Sequence, residues 1–251
     1  MKVIFLAAGS ATRLGHYTRE IPKALVKING KSILERQISL FKKYGILDVT
    51  IITGPYHNKF NFKNVSYIHD ANHYEHDVLG SLMVASSILN TDVIISYTDI
   101  VFDENILQSV IDFKGNIGLA IDMNWEEAYV GRTQHPIEEA ANVLINHNVI
   151  IKIGHDKKRF GKYDKNSLGE FLGIMKLSKK SASLLVDKYN KLVKSHHGHF
   201  HEATSLKDAY ITDMIQELID DGFEAKPIII NGNWCEIDTP QDMERAKKKF
   251  R

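Results

Sequence analysis

The sequence predicts an α/β fold: a mostly parallel sheet flanked by helices, with a small β-hairpin embellishment, in a single domain over residues 1–251. Three observations carry that reading. Short, continuously apolar runs bounded by turn residues have the pattern of strands buried on both faces, the first of them recur about every 45 residues, and amphipathic stretches with helix caps separate them. The 251 residues are 43% hydrophobic and 25% charged, which excludes a disordered, collagenous or coiled-coil chain and supplies a substantial core.

Lys2 to Ala8 is the first buried strand, and Asp48 to Thr53 and Asp92 to Tyr97 repeat its signature. Between the first two, Ser32-Ile33-Leu34-Glu35 is a capping box; the helix it starts carries Ile33, Leu34, Ile38 and Phe41 on one stripe and stops at Gly45. Such strand–helix–strand units build parallel sheets with right-handed crossovers. Further helices are expected over Ser81 to Leu89, Glu104 to Phe113, Lys179 to Val193 and Ala209 to Asp220, and a strand over Ile117 to Asp122. From Val143 to Ile153, two apolar runs flank Asn146-His147-Asn148 and predict a hairpin. Near the end, Thr239 is an N-cap, Pro240 suits the first helical position and Asp242 the first turn, ahead of Met243 to Lys249.

The balance of 32 Lys+Arg against 31 Asp+Glu, a net charge of +1, argues against nucleic acid or an anionic membrane as partner. One cysteine, Cys235, can form neither an internal disulfide nor a thiolate metal cage. The apolar N-terminal run is broken at Gly9, too early for a signal peptide, and no later run approaches the roughly 18 residues of a membrane span. These features point to a cytoplasmic protein that acts on a small molecule.

The loop Leu6-Ala7-Ala8-Gly9-Ser10-Ala11-Thr12-Arg13 follows the first strand, where open α/β sheets bind ligands. Its small residues let backbone approach a phosphate, and successive amides can form an anion nest. Neither G-x-G-x-x-G nor a P-loop spacing is present, which disfavours a dinucleotide fold and a P-loop phosphotransferase. Arg13, able to grip two phosphate oxygens, and Lys23, a point charge, suit a polyphosphate; singly, each also reads as a solvated loop charge. Asp99 ends a buried strand at the sheet edge of the Gly9 loop and is a candidate ligand for Mg²⁺, or a helix N-cap. In Trp234 to Pro240, alternation puts Glu236 and Asp238 on one face and Cys235 and Ile237 on the other. Four histidines between His196 and His201 invite a zinc reading, but no cysteine accompanies them and a solvated or interface loop is the expectation.

Together, Leu6-Ala7-Ala8-Gly9, Arg13-Leu14 and Pro22-Lys23-Ala24-Leu25 resemble the signature of the nucleotidyltransferases that activate phosphorylated sugars and small alcohols, usually L-A-A-G-x-G-x-R-L and then P-K. Asp99, Gly169 to Gly173 and Glu236-Ile237-Asp238 are similar as well; Ala11 departs from the family's glycine. The resemblance implies a Rossmann-like mixed, mostly parallel sheet of the nucleotide-diphospho-sugar transferase type. It also implies Arg13 and Lys23 as catalytic cations, and Mg²⁺ held by Asp99 and Asp238. The nucleotide would lie on Leu6, Ala7, Ala8, Gly9, Ser10 and Ala11.

Asn72, Tyr74, Ser81 and Leu82 look like the base-recognition segment of small-acceptor cytidylyltransferases, which implies CTP and adds Asn72, Asp77, Gly80 and Ser81 to the nucleotide site. Asp122, Trp125 and Tyr129 resemble a D-x-x-W segment that would hold an amine-bearing phosphorylated or phosphonylated acceptor, with Glu170 and Lys152 facing it; a packing role for the aromatics stays open. A homodimer is compatible with the resemblance. The alternatives are a sugar-1-phosphate uridylyl- or thymidylyltransferase and a non-catalytic nucleotide-binding module.

Overall fold

In the computed structural model, residues 1–9 and 12–250 are described. Strand β1 (Lys2–Ala7) is followed by the short pair β2 (Lys27–Ile28) and β3 (Lys31–Ser32), helix α1 (Ile33–Lys43), β4 (Asp48–Thr53) and β5 (Ser66–His69). Helix α2 (Val78–Met83) leads to β6 (Val93–Tyr97), β7 (Ile100–Phe102), α3 (Glu104–Asp112), β8 (Ile117–Asp122) and the single turn α4 (Glu126–Tyr129). The rest runs β9 (Asn142–Asn146), β10 (Val149–Gly154), β11 (Leu168–Leu177), α5 (Lys179–Ser195), α6 (Ile211–Asp220), β12 (Lys226–Ile229), β13 (Trp234–Glu236) and α7 (Pro240–Lys249).

The main sheet has the order β10-β9-β11-β6-β1-β4-β5, with β8 joined to β11 and β12 to β8. From β6 through β1 and β4 to β5 all pairing is parallel, with Leu6 opposite Tyr97 and Ile52. Strand β11 is antiparallel to β6, β8 and β9. Alternation along β1 explains its continuous apolar run. Val3, Phe5 and Ala7 enter the core beneath α1 and α3, whereas Ile4, Leu6 and Ala8 enter the core on the opposite face with Leu79, Leu82 and Met214. Each fully buried Ile or Phe contributes roughly 1.5–3 kcal/mol, so a strand central to both cores fixes the sheet.

Most expected elements fall within a residue or two of their predicted bounds. The hairpin β9–β10 turns through His147 and Asn148, both at positive φ, and α7 carries the Thr239–Asp242 capping box with Pro240 at its start. The helix expected over Ser81 to Leu89 is instead α2, which begins at Val78 under an N-cap from Asp77, followed by a separate turn at Ser86–Ile88. Its start is fixed by distant backbone: Asp77 N donates to Lys207 O at 2.8 Å and Leu79 N to Ala209 O at 3.2 Å. Serines at 86 and 87 then favour a turn over continued helix. Strand β11 had no clear signature in the sequence, because glycines interrupt it. Gly173 adopts a φ of 75°, β11 shifts register against β8 between Phe171 and Met175, and a Cβ there would fall 2.6 Å from the Tyr97 ring.

Candidate active site

Because β1 and β6 are parallel, the loops that follow them emerge at one edge of the sheet. A cavity of about 1030 Å³ opens there, lined by Leu6 to Gly9, Arg13, Lys23, Asp77, Ser81, Asp99, His135, Glu170, Glu236 and Asp238 among others. Ser10 and Ala11 lie outside the described residues.

Asp238 reaches Asp99 through a small ladder. Strand β13 pairs antiparallel with β7, Glu236 opposite Ile100, and Ile237 N then donates to Asp99 O at 2.7 Å. The predicted alternation follows: Ile237 is fully buried among Leu14, Val26 and Met243 with Cys235 packed against the same cluster, while Glu236 and Asp238 face the cavity. Burial pushes the Cys235 thiol up to about 11, as suits an inert packing residue. Lys23, in the turn after Pro22, places Nζ 3.2 Å from Asp99 Oδ2 and pairs directly with Asp238. Arg13 Nη2 lies 2.9 Å from Asp238 Oδ2, and its other nitrogen pairs with Glu139. The four side chains that the sequence singled out for phosphate and metal therefore converge.

Four further groups, His135, Glu139, Arg132 and Glu236, complete the cluster, and none had been assigned a role from the sequence. His135, 3% exposed, puts Nδ1 3.3 Å from Asp238 Oδ2 without a hydrogen-bonding geometry, and Nε2 3.6 Å from Glu236 and 3.8 Å from Glu139. His135, Glu236 and Asp238 are the only set among the described residues able to offer three metal-ligating atoms within 4.8 Å of one another. Arg132 anchors the group from behind, with Nε 2.7 Å from Asp242 Oδ1 and a second nitrogen 3.2 Å from Glu236. His135 and Glu139 come from the loop between α4 and β9, where no local pattern separates them from solvated surface charges.

Electrostatics set the character of the corner. Burial and then the repulsion of Asp238 and Asp99 hold the Glu236 carboxyl above the usual carboxylate range. Burial works against Asp238 ionising, but His135, Lys23 and Arg13 outweigh it and hold that carboxyl well below its ordinary value. Burial likewise opposes charge on Lys23, yet Asp99, Asp238 and Glu236 raise its pKa. Carboxylates Asp99, Glu139, Glu236 and Asp238 outnumber the cations Arg13 and Lys23 here, so the corner has room for further positive charge.

The other expected site residues divide. Asp77 and Ser81 line the cavity, as does Glu170, whose Oε1 accepts from the Tyr129 hydroxyl at 2.6 Å while its buried Oε2 has no partner. Asn72 is exposed outside the lining and Gly80 is buried beneath it, where a Cβ would fall 2.4 Å from His76 Cγ. The acceptor group is corrected most. Trp125, 2% exposed, packs with Tyr129, Leu144, Phe160 and Leu168 in a satellite cluster off the cavity, and Lys157 of the same chain places its ammonium 4.6 Å over the indole. The cation that the ring holds is internal. Asp122 accepts from Trp234 Nε1 at 2.7 Å and from Asn124 N at 2.8 Å, which steadies β13 rather than a ligand. Tyr129 and Lys152 also lie off this cavity, Tyr129 reaching its lining through the hydrogen bond to Glu170 and a ring contact with His135. In the histidine-rich segment, His196 Nε2 meets His199 O at 2.9 Å and His201 Nε2 meets Glu217 at 2.8 Å, with Phe200 between the two rings.

No helix among the described residues is long and apolar enough to cross a membrane. Residues 3–126 match the MobA-like NTP transferase domain. Over 97% of its length the chain is 28% identical to a CTP:phosphoglutamine cytidylyltransferase of Campylobacter jejuni, 98% of which is covered. The CTP:phosphocholine cytidylyltransferase of Streptococcus pneumoniae superposes with a TM-score of 0.74 at 22% identity, covering 100% of this chain and 99% of that one. The inositol-1-phosphate CTP transferase of T. maritima does so at 0.71 and 21%, covering 99% and 95%. The mixed sheet is thus the one these solved enzymes share, the Gly9 loop, Lys23 and Asp99 fall inside the segment that resembles the NTP transferase domain, and the chain is a nucleotidyltransferase.

Proposed function

We propose that this enzyme transfers CMP from CTP to a small phosphorylated or phosphonylated acceptor and releases pyrophosphate. The observation that carries the reading is the convergence of Arg13, Lys23, Asp99 and Asp238 on one cavity beside the Gly9 loop, in a chain alignable nearly end to end with a cytidylyltransferase. An acceptor phosphate oxygen attacks the α-phosphorus in line, a P–O bond forms, and the bond to the pyrophosphate oxygen breaks, so charge is conserved. The nucleophile is already anionic and needs no strong base. What the protein must supply is alignment and relief of repulsion between two anions.

Lys23 and Arg13 provide cationic side chains for that purpose, each released in part from its carboxylate partner when phosphates enter. The excess of carboxylates over cations around Asp238 fits a divalent ion, with Asp99 and Asp238 as its ligands and His135 and Glu236 within reach. Mg²⁺ bound there would supply charge neutralisation on the triphosphate. Glu170, which lines the cavity and has one carboxyl oxygen without a partner, is a recognition group for an amine or amide on the acceptor. A reaction that draws on free CTP and Mg²⁺ fits a cytoplasmic enzyme.

The test is pyrophosphate release across four NTPs with phosphocholine, phosphoglutamine, 2-aminoethylphosphonate, inositol-1-phosphate and glucose-1-phosphate as acceptors, with and without Mg²⁺. CTP with a small acceptor is the expected pair. Turnover only with UTP or dTTP and a sugar phosphate would replace this reading by the sugar-nucleotide one, and CTP binding without release by any acceptor would favour a non-catalytic module.

A further inference from the structure

Behind the nucleotide part of the cavity lies a hydrogen-bond network that the proposed reaction does not use. Ser81 lines the cavity, and its hydroxyl donates to Asp70 Oδ2 at 2.8 Å. Asp70 is 1% exposed and does not itself reach the cavity. Its Oδ1 lies 3.3 Å from His76 Nε2, while His76 Nδ1 is 3.1 Å from the carbonyl oxygen of Asp77, which can only accept. Nδ1 therefore carries a hydrogen, and Asp70 Oδ1, buried without a hydrogen-bond partner of its own, leaves Oδ2 as the acceptor for Ser81. Gly80 makes room for the ring, and the backbone bond from Asp77 to Lys207 fixes the segment that carries it.

With its single hydrogen committed to a buried acceptor, the Ser81 hydroxyl presents only lone pairs to the cavity. Beside it, Ala8 and Val78 offer a small apolar surface on which a planar base can lie. We infer that Asp70, acting through Ser81, makes this part of the cavity acceptor-only and thereby selects a pyrimidine with an exocyclic amino group, cytosine, over one with a carbonyl there, uracil. The inference rests on the CTP reading above. An amino group donates to the Ser81 oxygen, whereas a carbonyl would set its own oxygen against the Ser81 oxygen with no proton between them, a mismatch that binding sites reject strongly. Asp70 is a positioning residue.

Dissociation constants for CTP and for UTP, measured by titration calorimetry on the full chain in Mg²⁺, need no acceptor. Wild type is expected to bind CTP at least about 10-fold more tightly than UTP. Ser81→Ala and Asp70→Ala are expected to collapse that ratio towards one. Asp70→Asn is expected to keep it, since the amide can set its carbonyl towards Ser81 and its N–H towards His76. A merely structural role for Asp70 would weaken both nucleotides in proportion. An unchanged ratio in Ser81→Ala, equal binding by wild type, or an Asp70→Asn as unselective as Asp70→Ala overturns the inference while leaving the CTP reading intact. Failure of wild type to bind either nucleotide removes both. Should Asp70→Ala not fold, the Ser81→Ala ratio decides.

Discussion

Glu170 carries a pH signature that its surroundings make specific. Burial first, and then the repulsion of Glu236, push its carboxyl from an ordinary 4.5 up to about 8, against the opposing hydrogen bond from Tyr129. Across that window the folded protein holds a proton that the unfolded chain has released, so the stability due to this group is complete below the unfolded value and is lost as pH rises through about 8. At about 1.4 kcal/mol per pKa unit, the rise from 4.5 to about 8 corresponds to a loss on the order of 3–5 kcal/mol. Glu170→Gln removes the titration but keeps a carbonyl for the Tyr129 hydroxyl. The stability of Glu170→Gln minus that of wild type, from urea unfolding at about pH 5, 7 and 8, is expected to increase by several kcal/mol over the series. Taking the difference cancels every other titrating group. A difference that stays flat would show that Glu170 is already ionised in the fold and refute the reasoning.

Lys23→Ala and Asp99→Ala are each expected to lower turnover at least about 10²-fold while the thermal transition remains cooperative, the scale for removing one electrostatic stabiliser; unchanged kinetics in either would contradict its role. Arg132→Ala leaves Asp242 and Glu236 without their shared cation, and breaking such a buried pair costs about 3–5 kcal/mol, read as a fall in the denaturant midpoint. Gly80→Ala puts a methyl group 2.4 Å from His76 Cγ, and overpacking on that scale costs about 1–3 kcal/mol in an unfolding titration; wild-type stability would mean that the ring shifts freely.

Local order was written plainly in the chain. The apolar runs of β1, β4 and β6 have no other stable use than strands buried on both faces, and the Ser32 and Thr239 boxes satisfy the first amides of α1 and α7 wherever those helices pack. Parallel β1 and β6 put Gly9 and Asp99 at one edge, and period-two alternation turned Glu236 and Asp238 away from Cys235 and Ile237. Apart from the β1–β6 pairing itself, these features depend on neighbours a few residues apart.

The composition of the site around that nucleus was decided elsewhere. His135 and Glu139 enter only because the loop before β9 folds over β13, and Asp70 reaches Ser81 only once β5 and α2 are side by side. Trp125 looked equally suited to a ligand or to a core, and the choice fell to Lys157, whose ammonium covers the indole. A side chain's sequence fixes what it can bind, whereas the partner is chosen by which segments the sheet order brings within a few ångströms. Contacts between distant segments leave no periodicity to read, so the cation and carboxylate count that defines this cavity exists only in the folded chain.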